Sequence, residues 1–249
     1  MGDERLEAVL IDFYGTICSG DRDAVEGVCR RIVDSVGLEM TATQFAVTWG
    51  ERFFATVEQS NHAAFQTLFE CETASLRATF DALGLASDPG PFVAELEDYW
   101  RNPPVYDDAV AFLRDIELPV CCVSNADTEP LLAAIEKHGL PFNAVISSQD
   151  ARCYKPDPGI FERALAAMKV GPGRVVHIGD SLHSDIAGAS AAGIAGVWVR
   201  RENRIHDIGT AKPDFTVSGL SELHTILDGA IRGAWQENPM GRPPDETRA

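Results

Sequence analysis

This sequence predicts an α/β fold: a three-layer core with a parallel sheet between helices, plus a helical cap domain inserted after the first strand. Three observations carry that expectation. Short apolar runs rich in Val, Ile and Cys recur with little alternation, as in strands covered on both faces. Most are followed by a helical pattern, the alternation that builds a parallel sheet. Between the first run and the second, from Asp21 to about Trp100, the periodicity is helical only.

The elements follow in order. The first run, residues 8–12, ends in Asp12 and enters a Gly-Thr turn. The helical stretch after it is broken at Gly37, at Gly84 and at "SDPGP", and Thr41 is placed to cap a restarted helix. "RNPPVYDD" is the proline-rich return. Strands are then expected at Val120–Ser124, Ala144–Ser147, Val175–Gly179 and 196–199, with helices at Thr128–His138, Pro158–Met168 and 185–192. This divides the chain into a core of 1–19 and 102–233, a cap of 20–101 and a tail of 234–249. The tail is polar with repeated Pro and is expected to be disordered. There is no internal repeat.

Composition narrows the function. The chain has 249 residues, 45% hydrophobic and 24% charged, with a formal net charge of -17. So acidic a surface repels phosphate backbones and anionic lipid, so neither nucleic acid nor membrane is expected as a partner. No apolar run approaches a membrane span. The start, MGDERLEAVL, lacks the plan of a signal peptide, and Leu6 stands where a myristoylation signal wants Ser or Thr. Six cysteines form no CxxC pair, so a reducing, cytoplasmic compartment is expected, without disulfides or zinc. The partner in view is a small anionic metabolite, bound by a monomer or homodimer. The first lysine in the chain is Lys137.

Ligands of such sheets bind at the carboxyl ends of the strands, where Asp12, Ser124 and Asp180 fall. Asp12 is a candidate nucleophile. Gly15 lets the backbone turn sharply beside it. Thr16 and Ser124 offer hydroxyls, and Lys155 can neutralise both a carboxylate and a bound anion. Asp180 and Asp185 with Asp12 could hold a hard cation such as Mg²⁺. Bland readings stand beside these: a capping Asp180, a surface Lys155, an ordinary strand exit at Ser124-Asn125. Arg52 and Arg77 could face a substrate, although an exposed helical Arg is commoner. His183 is expected to be solvent-facing or behind the site.

Asp12-Phe13-Tyr14-Gly15-Thr16, Ser124-Asn125, Lys155-Pro156 and "HIGDSLHSDIAGASAAG", in this order, resemble the haloacid dehalogenase-like hydrolase superfamily, with an early helical cap. The resemblance runs from Ala8 to about Leu223 and implies a Rossmann-like core. It implies that Asp12 forms a covalent aspartyl intermediate and that Ser124 and Lys155 bind the transferring group, with Asn125 and Arg52 as further substrate contacts. Asp12, Asp180 and the Tyr14 carbonyl would bind Mg²⁺, supported by Asp185.

Tyr14 divides the readings. Phosphatases of this superfamily usually carry an Asp there as general acid and base. The 2-haloacid dehalogenases have tyrosine, because halide leaves without a proton. They also have no use for Mg²⁺, carry serine where this chain has Asp180, and use an early cap arginine, whereas this chain has none between Arg31 and Arg52. Phosphonoacetaldehyde hydrolases need a cap lysine, absent before Lys137. Weighing the fourth motif most, the expectation is a Mg²⁺-dependent phosphohydrolase of a small phosphorylated metabolite. The alternatives are a 2-haloacid dehalogenase and a catalytically weakened member that binds a ligand or partner.

Overall fold

The computed structural model describes residues 5–201, 209–223 and 226–227; the expected tail at 234–249 lies outside them. The chain opens with β1 (Ala8–Ile11) and then runs through four helices, α1 (Asp21–Val36), α2 (Ala42–Gln59), α3 (Leu68–Ala82) and α4 (Gly90–Arg101). It continues with α5 (Asp107–Asp115), β2 (Val120–Ser124), α6 (Thr128–His138), β3 (Ala144–Ser147), α7 (Ser148–Ala151) and α8 (Pro158–Met168). Then come β4 (Val175–Gly179), a π-type turn at Leu182–Ile186, α9 (Ala187–Ala191), β5 (Ala195–Val199) and β6 (Phe215–Val217).

The strands form one parallel sheet in the order β3-β2-β1-β4-β5-β6. Every residue of β1, β2 and β4 is buried, which explains why these strands read as unbroken apolar runs. Side chains of β1 alternate between two layers: Val9 and Ile11 join one apolar cluster, and Ala8 and Leu10 join the other. Strand order reverses between β1 and β4, the place where such sheets open a crevice.

Local signals fix the helical block. Thr41 caps α2 in a reciprocal box with Gln44, and Thr67 does the same for α3 with Glu70. Gly37 ends α1 at φ 65°, a conformation that favours glycine. The block buries its own cluster, with Ile32, Phe45, Trp49, Leu76, Phe80 and Leu96 at its centre. Trp49 Nε1 donates to Ser75 Oγ at 2.9 Å inside it. No helix among the described residues is long and apolar enough to cross a membrane.

Glu72 lies on the buried face of α3, 9% exposed, and no hydrogen bond engages its carboxyl among the described residues. Burial pushes its pKa from 4.5 up to about 8. The native state then holds a proton that the unfolded chain has released, so stability falls as pH rises through that window and levels off above it. Glu72→Gln removes this dependence. The melting temperature of the variant should exceed that of the wild type by a margin that widens from about pH 5 to about pH 8. A margin that does not change with pH refutes the assignment.

Candidate active site

The expected residues converge at the carboxyl ends of β1, β2 and β4. Asp12 leaves β1 with its N–H donating to Ile178 O at 2.8 Å, which pins the strand exit against β4. Gly15 takes φ 95°, and the N–H groups of Ile17 and Cys18 fold back on Phe13 O. This tight turn brings Thr16 over the next strand end, where its hydroxyl donates to Asp180 Oδ1 at 3.1 Å.

Lys155 is the centre of the site. It is buried, and its ammonium donates to Asp12 Oδ1 at 2.6 Å, to Asp185 Oδ1 at 2.6 Å and to Val123 O at 2.9 Å. All three N–H bonds are thereby used. Burial alone would lower the lysine pKa, but Asp12 and Asp185 outweigh it and hold the ammonium charged. Burial would likewise raise Asp185, yet Lys155 and His177 hold it well below the usual carboxylate range. Asp12 moves the other way, raised by burial and by the charge of Asp185 against the pull of Lys155. No group among the described residues donates to Asp12 Oδ2. One oxygen of this carboxylate is held and the other is buried without a donor among these residues.

Asp185 depends on β4. His177 and Gly179, two apart, share one face of that strand. His177 Nε2 lies 2.8 Å from Asp185 Oδ1, and because a carboxylate only accepts, Nε2 carries the proton. The Ser181 N–H donates to Asp185 Oδ2 at 3.0 Å. A Cβ on Gly179 would sit 2.2 Å from the Asp185 carboxyl carbon, so glycine is required to make room. Sequence reasoning missed His177. Its signal was present in "VVHIG", a polar ring in the middle of a fully buried strand.

Other residues fall differently from expectation. Both ends of the Asn125 side chain hold the main chain of Lys155: Oδ1 accepts from its N–H at 2.7 Å and Nδ2 donates to its carbonyl at 3.0 Å. Arg52 donates to Thr48 O in its own helix, and no contact joins it to Asp12, Ser124 or Lys155 among the described residues. Arg77 is taken by Ser87 O and Asp88. The Tyr14 hydroxyl donates to Trp100 O at 2.7 Å, at the end of α4, and burial raises its pKa far above the usual phenol value. Ser124 is buried at the end of β2, its hydroxyl in no hydrogen bond among the described residues. Arg201, also missed, pairs with Asp108 and donates to Thr16 O at 2.9 Å, bracing the turn after β1. Asp12, Asp180 and Asp185 each offer an oxygen, and these lie within 4.8 Å of one another.

The comparisons agree on the family. A family model described as haloacid dehalogenase-like hydrolase matches residues 6–193. Haloacetate dehalogenase H-2 of Moraxella sp. (strain B) is 27% identical over 235 residues, covering 90% of this chain and 99% of that protein. The phosphoserine phosphatase of Thermus thermophilus is 35% identical over 130 residues, only 49% of this chain and 51% of that protein. The crystal structure of a defluorinating L-2-haloacid dehalogenase superposes with a TM-score of 0.71 at 26% identity, covering 90% of this chain and 95% of that one. The expected phosphohydrolase therefore gives way. The likeness to dehalogenases runs along nearly the whole chain and that to the phosphatase along half. The physical reason agrees: the Tyr14 phenol is turned to a backbone carbonyl and its pKa is raised by burial, which makes it a poor substitute for the phosphatase acid.

Gly179→Ala should displace Asp185 and loosen its hold on Lys155. The expected result is a folded protein with a melting temperature several degrees lower, about 1–3 kcal/mol less stable, as for a new clash in a packed core. A melting curve equal to the wild type would show that Asp185 has another seat.

Proposed function

The chain belongs to the haloacid dehalogenase-like hydrolases, and we propose that it hydrolyses the carbon–halogen bond of a small 2-halocarboxylate. The observation that carries this reading is the pairing of a half-held carboxylate with a phenol that is not available as an acid. Asp12 Oδ2 has no donor among the described residues, while Tyr14 is bound to Trp100 O. Such a site suits a leaving group that departs as a stable anion.

In the first step Asp12 Oδ2 attacks the carbon that bears the halogen. A C–O bond forms, the C–X bond breaks, and halide leaves with the electron pair. Lys155 keeps the other carboxylate oxygen fixed, and the Ser124 hydroxyl would donate to the substrate carboxylate. Water then adds to the Asp12 ester carbonyl, giving its proton to a carboxylate. Asp180 is suited to that role, since Asp185 is held below the usual range by Lys155 and His177. Collapse breaks the acyl C–O bond, and Asp180 returns its proton to the leaving alkoxide to give the 2-hydroxy acid. Asp12 regains its carboxylate by losing the second water proton, with one water consumed and one proton released per halide.

The same three carboxylates fit a hard divalent cation. Asp12 Oδ2 is buried without a donor among the described residues, and the carboxylate cluster is compact. Asp12, Asp180 and the Tyr14 carbonyl would hold Mg²⁺, with Asp185 in support. When bound, the ion would supply positive charge that offsets repulsion among these groups, and it would occupy Asp12 Oδ2, so halide release is expected without it. Six buried free thiols support a place in the reducing cytoplasm.

The test is halide release from 2-chloropropionate and chloroacetate, with Mg²⁺ and with a chelator. Wild type should release halide and Asp12→Asn should not. Tyr14→Phe should stay within a few-fold of wild type; a loss of about 10²-fold or more would mark the phenol as an acid. No release of halide by the folded wild type overturns the reading.

A further inference from the structure

The loop that carries Lys155 is held largely from outside the sheet, by the stretch between α2 and α3. The Tyr154 N–H, one residue before Lys155, donates to Asn61 Oδ1 at 2.8 Å. The Tyr154 hydroxyl donates to Gln66 O at 2.8 Å, and its ring stacks on Phe65 with centroids 5.4 Å apart and planes 21° off parallel. On the near side the His62 N–H donates to Arg152 O at 2.7 Å. On the far side His62 Nε2 meets Asp157 Oδ2 at 2.9 Å. The loop is thus gripped at residues 152, 154 and 157, on both sides of the lysine.

The opposite side of Lys155 is gripped by Asn125, and Asp127 ties that second loop to the same helical block. Asp127 begins α6 but does not cap it. Its carboxylate reaches α3 instead, where it accepts from Leu68 N at 2.7 Å and Phe69 N at 3.0 Å. Both loops that flank the ammonium are therefore fastened to one segment, residues 61–69.

We propose that residues 61–66 are a positioning element for Lys155, with Asn61 as the acceptor that sets it. Seating this segment on the core places the ammonium between Asp12 and Asp185. Release of the segment frees the loop at residue 154, and Lys155 loses its fixed relation to the nucleophile. None of these residues touches the reacting atoms, and the proposal does not depend on which leaving group Asp12 displaces.

Asn61→Leu removes the acceptor at similar size, and Asn61→Asp keeps it. The first readout is competitive acetylation followed by peptide mass spectrometry, with the exposed Lys137 as internal reference. In wild type and Asn61→Asp, buried Lys155 should react slowly. In Asn61→Leu its rate relative to Lys137 should rise by about tenfold or more, as expected of a loop that opens locally. The second readout is halide release: Asn61→Leu should lower kcat by about 10- to 100-fold with little change in KM, because a displaced charge affects the reacting geometry more than substrate capture. Asn61→Asp should restore it. Should Asn61→Leu fail to fold, His62→Gly carries the same labelling comparison, since His62 has φ 56°, where glycine is at ease. Lys155 labelling that stays at the wild-type rate, while hydrogen exchange shows the Tyr154 N–H released, overturns the proposal. The labelling needs no substrate, so a protein that releases no halide yet shows the expected labelling refutes the reaction and leaves the positioning element standing.

Discussion

A buried ammonium bound to two buried carboxylates is the constraint on which the rest of this structure depends. Lys155, Asp12 and Asp185 are each almost fully removed from water. None of them is tolerable alone at that depth, because an unpaired buried charge costs several kcal/mol. Together they also leave one negative charge in excess, which the Ser181 N–H and the His177 ring help to stabilise on Asp185. The features around them follow from that need. β2 gives a carbonyl at Val123, β4 gives a histidine and a gap at Gly179, and the turn after β1 gives Asp12 an orientation that leaves one buried oxygen without a donor among the described residues.

That orientation links electrostatics to chemistry. A carboxylate held at both oxygens would be a structural ion pair. Held at one, it has the fixed direction that the proposed attack needs. Asp180 stands close by on the neighbouring strand end and is oriented by Thr16. The overall charge of -17 would repel an anionic substrate at long range, so attraction has to come from groups inside the crevice. Lys155 sits there, held charged by its partners, but Asp12 and Asp185 more than offset its charge.

The helical block and the sheet are joined at the same place. Tyr14, two residues after Asp12, binds the end of α4. Asp127, three residues after Ser124, binds the start of α3. Tyr154, next to Lys155, binds the stretch between α2 and α3. Each loop that carries a functional side chain thus carries a tie to the block as well. Small shifts of the block would be felt at all three strand ends, because packed contacts transmit displacement with little slack.

The sequence by itself determined the local features. β2, β3, β4, α6 and α8 lie at the limits that their periodicity indicates, and Thr41 caps α2 as its chemistry suggests. It also placed Asp12, Ser124 and Asp180 at strand ends. It did not show β6, a three-residue edge strand too short for a pattern, or α5, whose start is masked by the prolines before it. Tertiary structure alone decided the partners. Lys155 meets Asp12 across 143 positions, Asn125 turns to Lys155 across 30, and Tyr14 turns to Trp100 across 86. Strand alternation and helix caps are set by neighbours a few residues away, so they are written in short windows. The pairing of a buried charge is set by whichever groups the folded chain brings within about 3 Å, and no short window of sequence contains both.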